Sequence, residues 1–141
     1  MAGMTDLQIR VGDLTFAASW EPGAPLTREA LAPWLPVHAQ LIHCRWSGES
    51  TWIPFGDRRL EVGYENHTSH PAPGQLLIYT GDLSECEILF PYGACAFSSK
   101  LGQLAGNHFA TVTRGLEQLP ELGRRVLWEG AQDIEITEGP G

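Results

Sequence analysis

The sequence predicts a mainly β domain, a closed or nearly closed antiparallel β-barrel with two short helices. Short runs of alternating apolar and polar residues recur along the chain, and the 16 glycines and 10 prolines fall between them as turn signals rather than in clusters. About eight such strands with only two brief helical stretches would leave sheet edges bare unless the sheet closed on itself. With 141 residues, no internal repeat and no linker, residues 1–141 read as a single domain, long enough to bury roughly two-thirds of its unfolded surface.

Asp6 to Val11 and Leu14 to Trp20 form a hairpin around Gly12-Asp13, with Leu14, Phe16, Ala18 and Trp20 on one face. Pro22, Gly23 and Pro25 end it. Thr27 is then an N-cap for a short helix through Leu31 to Trp34, closed by Leu35-Pro36. Val37 to Ser47 is the longest strand candidate. Val37, Ala39 and Leu41 share a face that continues into His43 and Arg45, so a core face becomes a polar one. Glu49 to Phe55 pairs back on it across a Ser47-Gly48 turn. Gly56 to Gly74 is a long loop, a length that in a compact domain usually serves function. Gly74 to Thr80 and Glu85 to Pro91 are further strands, and Tyr92-Gly93 with Ala94 to Gly106 is a second long loop. Asn107 to Thr113 is a strand. Gly115 to Leu122 is a short helical turn interrupted by Pro120, and Arg124 to Glu129 with Ile134 to Thr137 form a closing strand pair around Gly130.

Nine Lys and Arg against 17 Asp and Glu give a net charge of −8, which argues against nucleic acid or anionic membranes as partners. No apolar run is long enough to span a bilayer. Met1-Ala-Gly-Met4 lacks the basic-then-apolar order of a secretory leader. Cys44, Cys86 and Cys95 are odd in number and without CxxC spacing. Together these predict reduced thiols in a cytoplasmic protein.

Asn107 to Thr137, ordered as strand, GLEQL helix, Gly123, VLWEG and a final strand, resembles the C-terminal part of the cyclophilin fold. Over about Leu7 to Thr137, the hairpin start, RWSGE, Tyr64-Glu65-Asn66, PAPG at Pro71 to Gly74, Tyr92-Gly93 and GNHFA at Gly106 to Ala110 are similar to the bacterial cyclophilin-like proteins grouped as DUF3830. The resemblance implies a cyclophilin-like barrel and self-association, with Trp34 or Phe97 as interface anchors, and it carries no reaction. Arg45 is the counterpart of the cyclophilin catalytic arginine. The positions of the cyclophilin site histidine and indole fall on Gly106 and Leu101, so the proline-recognising pocket is not reproduced and prolyl isomerase activity is the least favoured expectation.

The candidate site centres on His43 to Ser50, HCRWSGES. Arg45 is read as an anchor for a carboxylate or phosphate through its bidentate fork, with surface pairing to Glu49 or Glu65 as the alternative. Trp46 and Glu49 stand beside it as ligand contacts, although residue type alone favours Trp46 as core. Trp20, Trp52 and Trp128 are read as structural. Glu65 supplies a general base, and Asn66 and His67 polar contacts, from the long loop; an Asx-turn explains the same letters. Asn107, His108 and Phe109 lie in the GNHFA motif, with His108 as an acid/base group beside Arg45. Tyr92 and Gly93 bring a phenol and a bare amide. His67 and His70, with His43 or His108, have metal-ligand residue types, but no helix fixes them on one face, and neither a metal nor another cofactor is expected.

Two functions follow. One is a small-molecule-binding enzyme, an isomerase or hydrolase, acting on a small anionic or amide-containing metabolite, with Arg45 as anchor and Glu65 or His108 as acid/base. The other is a non-catalytic ligand-binding or structural barrel using the same residues. The identity of the ligand is not written in the sequence.

Overall fold

In the computed structural model, which describes residues 6–139, eight strands close a single antiparallel barrel. The Met1 to Met4 segment lies outside the described residues. β1 (Leu7–Val11) and β2 (Leu14–Trp20) form the expected hairpin, in which Ile9 pairs with Phe16 and both side chains are buried. Alternation does the work here, because inward apolar side chains leave Gln8, Arg10 and Thr15 to the outer face. β3 (Val37–His43), β4 (Gly48–Pro54), β6 (Gln75–Tyr79), β7 (Glu87–Cys95), β10 (Gly106–Arg114) and β11 (Gln132–Glu138) complete the barrel. The order is β2-β1-β11-β3-β4-β7-β6-β10, and β10 pairs with β2 to shut it. Two-residue β5 (His67–Thr68) adds to β10, and β8 (Ser98–Ser99) pairs only with β9 (Gly102–Gln103).

Two apolar clusters result. The interior holds Ile9, Phe16, Leu41, Ile78, Phe90 and Phe109 among others. A smaller cluster on the outer face of β4, β6 and β7 contains Leu77, Tyr79 and Leu89, with Phe97 and Leu104 of the second long loop folded over them. That loop is therefore a roof, fastened where the Ser47 hydroxyl accepts from Ser98 N–H at 2.9 Å and Ala96 N–H donates to Ser47 C=O at 2.9 Å.

Several expectations need correction. Arg124 to Glu129 is not a strand: α2 (Leu119–Glu129) runs unbroken, and β11 pairs instead with both β1 and β3. Pro120 lies in the first helical turn, where a missing N–H costs nothing, so it starts the helix it was expected to interrupt. Leu119, Leu122, Gly123 and Val126 form the buried stripe, at helical spacing. α1 (Pro25–Leu31) begins before Thr27, which is buried in its first turn rather than capping it, and a single 3₁₀ turn over Ala32–Trp34 follows. β3 stops at His43, and Arg45–Ser47 form a 3₁₀ turn. Trp46 is 57% exposed and Trp128 77% exposed, so neither is core. Phe97 is fully buried, and Trp34 packs edge-on against Phe55 with the Arg58 guanidinium 3.6 Å from its ring centroid, so neither is a free interface anchor.

Candidate functional site

The residues read from the sequence as one site fall into two groups, with no hydrogen bond or ion pair between them among the described residues. The first group sits at one end of the barrel. His43 follows Leu41 on the inner face of β3, where the change from apolar to polar places an imidazole at the barrel rim. Its Nε2 lies 2.7 Å from the Tyr92 hydroxyl, and its Nδ1 is buried with no partner. Burial, and then the nearby Arg45 charge, hold the His43 pKa below its ordinary value, so the ring is neutral at pH 7. The Tyr92 phenol is pushed up by burial and by Glu49. Glu49 Oε1 accepts from Ala94 N–H at 2.9 Å and presses so closely on Gly93 that any side chain there would displace it. Arg45 is exposed and pairs with neither Glu49 nor Glu65. The cluster therefore presents a free guanidinium, a neutral imidazole, a phenol and a carboxylate.

α2 supports this arrangement from behind. Gly123 leaves room for the Tyr92 ring, which a methyl group would strike. Gly123→Ala is expected to break the His43–Tyr92 contact and cost about 1–3 kcal/mol of stability. Gly63→Ala, at a position with open space around it, should change stability by less than about 0.5 kcal/mol. Urea unfolding of the two variants checks the difference.

The second group ties the 56–74 loop to β10 and α1. Glu65, expected as a base, accepts from Leu26 N–H at 3.1 Å, Thr27 N–H at 2.8 Å and the Thr27 hydroxyl at 2.7 Å. It thus supplies the α1 N-terminal cap that no local residue provides. Desolvation opposes its ionisation, but the Thr27 hydroxyl and the two amides outweigh it and hold the pKa below the usual carboxylate value. Asn107, only 1% exposed, accepts from Glu65 N–H at 3.0 Å and donates to Thr27 Oγ1 at 3.1 Å and Gly63 C=O at 2.9 Å. Asn66, at φ 52°, donates its amide to His108 C=O at 2.9 Å. His67 is exposed and packs against Tyr64 with ring centroids 4.7 Å apart. Phe109 is buried beside Trp20, so it belongs to the core rather than to an open site.

His108 faces Glu21 and Thr111 rather than Arg45. A register shift in β10 between His108 and Ala110 turns its side chain to the outer face. The Thr111 hydroxyl donates to Glu21 Oε2 at 2.7 Å and so accepts from His108 Nε2–H at 2.8 Å. His108 Nδ1 lies 3.9 Å from Glu21 Oε1. Burial lowers the His108 pKa, and Glu21 pulls it partly back.

Sequence reasoning missed Glu21 and Thr111 and read Thr27 only as a cap, because the Thr27–Glu65 and Thr111–Glu21 bonds join residues 38 and 90 positions apart and no local pattern announces them. It also missed Glu87, which is 3% exposed on the outer face of β7 with Oε2 unpartnered. A lone acid in the apolar run CEILFP was the available signal. Burial, then the neighbouring Glu85, push its pKa up to about 8. Among the described residues no group of three His, Cys, Asp or Glu side chains comes close enough to hold a metal. No helix among them is long and apolar enough to cross a membrane.

The profile of a family described as "Protein of unknown function (DUF3830)" matches residues 7–138. No curated protein matches the chain. Among solved structures, McbB in complex with tryptophan is similar at 18% identity and a TM-score of 0.72, over 96% of this chain and 45% of McbB. The chain thus spans under half the length of McbB. The solution structure of the hypothetical protein AF2241 from Archaeoglobus fulgidus is similar at 14% identity and a TM-score of 0.65, over 99% of this chain and all of that one. At these identities the likeness establishes the fold, a barrel of the cyclophilin-like type.

Proposed function

Because the chain belongs to the DUF3830 family, whose description assigns no reaction, we propose that it binds a small anionic or amide-containing metabolite at the barrel rim formed by His43, Arg45, Glu49 and Tyr92. The observation that carries this reading is the buried, unpartnered His43 Nδ1 beside a guanidinium that no carboxylate among the described residues pairs with. A buried ring nitrogen without a partner is costly, and a ligand group meeting it removes that cost. Arg45 takes the carboxylate or phosphate through its planar fork, and the exposed Trp46 ring offers a stacking face. McbB, similar in fold over 45% of its length, is described in complex with tryptophan, a small molecule that bears a carboxylate. The three free thiols suit a reducing, cytoplasmic setting.

A catalytic reading, as an isomerase or hydrolase, draws on the His108–Thr111–Glu21 chain, a hydrogen-bonded acid/base series beside the β2–β10 seam. A thermal-shift screen of small carboxylates, phosphates and amides tests the binding reading. A ligand at a hundred times its dissociation constant adds about 2.7 kcal/mol. Hits should be anionic and vanish in Arg45→Ala. Hits that persist unchanged in that variant would remove the rim as the site.

A further inference from the structure

A cleft of about 580 Å³ lies between α1 and the 59–63 segment, beside the junction where Leu26 N–H donates to Glu65 and Gly63 C=O accepts from Asn107, and apart from the rim group. Leu26, Ala30, Trp34, Leu60 and Val62 make its wall apolar. Leu26 is 60% exposed there, an apolar surface that the fold itself leaves uncovered. Its charged lining residues are Glu29, Glu61 and Arg59. Neither glutamate takes part in an ion pair or a side-chain hydrogen bond among the described residues. Arg59 is already engaged, donating to Gly81 C=O at 2.6 Å and lying 3.8 Å from Asp82. The carboxylates are thus the free charges of the cleft.

Both walls are fixed without an occupant. Glu65 holds the first turn of α1 through three hydrogen bonds, and Leu60 N–H donates to Thr80 C=O at 3.2 Å on the other side. This open cleft sets apolar side chains beside charged ones, a mixed lining that suits a small amphiphilic ligand. One face of the Trp34 ring is already taken by the Arg58 guanidinium, so the ring offers a ligand its remaining apolar surface and the charge recognition falls to Glu29 and Glu61. We propose that this cleft is a second ligand site, one that takes an organic cation with an apolar body, such as an aryl-alkyl amine, its ammonium held between Glu29 and Glu61. The two sites then differ in sign: the rim selects anions through Arg45, and the α1 cleft selects cations.

The test is an amide and indole NMR titration of the whole chain with phenethylamine, and in parallel with hydrocinnamate, a similar molecule bearing a carboxylate. Saturable shifts at Leu26, the Trp34 indole and Val62 are expected with the amine and not with the carboxylate. The exposed Glu29→Gln/Glu61→Gln pair should weaken amine binding about tenfold or more, while Arg45→Ala leaves it unchanged, which separates this site from the rim. Equal or tighter binding of hydrocinnamate at the Leu26, Trp34 and Val62 signals would overturn the proposal, whereas its binding at the rim alone would not touch them. So would amine shifts that map elsewhere, or no saturable shift at millimolar amine.

Discussion

Glu87→Gln is expected to stabilise this protein at alkaline pH, by about 4 kcal/mol once the pH passes 8. The carboxyl sits 3% exposed in β7, on the face that carries Leu89 and is roofed by Phe97 and Leu104, and its Oε2 meets no donor. Burial raises its pKa from 4.5 to about 8, so the folded state holds a proton that the unfolded chain releases near pH 4.5. The folded form is therefore favoured in full below pH 4.5, and that contribution is lost as pH rises to about 8. Glutamine keeps the shape and has no proton to lose. The depressed His43 and His108 titrate in the opposite sense, favouring the folded state above the unfolded histidine pKa of 6.5, so the informative quantity is the difference between wild type and variant. Urea melts from pH 4 to 9 should show curves that coincide in acid and diverge above pH 5. Parallel curves would mean that Glu87 is ionised and partnered.

Asn107→Ala should cost about 2–4 kcal/mol, because it strands the Glu65 N–H and the Gly63 C=O at a buried junction. One side chain there joins the 56–74 loop, α1 and β10. Its loss should free Glu65 from the α1 N-terminus, so protease cleavage within residues 56–74 should accelerate well beyond the global loss of stability. Asn107→Leu, which fills the volume without the bonds, should behave similarly. If both variants kept wild-type stability and protection within about 0.5 kcal/mol, the junction would carry no strain-bearing role and the loop would be held by its backbone pairing to β10 alone.

What the sequence made legible follows from the range over which each signal acts. The β1–β2 hairpin and the apolar-to-polar change along β3 depend on period-two alternation, which neighbouring residues display directly. That change led to His43, although its hydroxyl partner Tyr92 is 49 positions away. Pro120 was misjudged because a proline reads as a breaker until the helix start is known, and the GLEQL turn hid that start. Glu65 and Asn107 carry the residue types of a catalytic base and its amide partner. Only their tertiary bonds to α1 reveal that they position a helix. Average burial favours Trp46 as core, but its place in a 3₁₀ turn at a strand end leaves the ring outside.

We propose small-anion binding at the rim formed by His43, Arg45, Glu49 and Tyr92. The most direct measurement is the side-chain ¹⁵N spectrum of the histidines during titration with inorganic phosphate and a panel of small carboxylates. Binding at the rim predicts a saturable change at the His43 ring nitrogens, largest at Nδ1, while His108 and His67 stay where they are, and Arg45→Ala abolishes it. A saturable change at His108 with His43 unmoved would transfer the site to the Glu21–Thr111 face, and no change at any histidine would contradict anion binding at the rim.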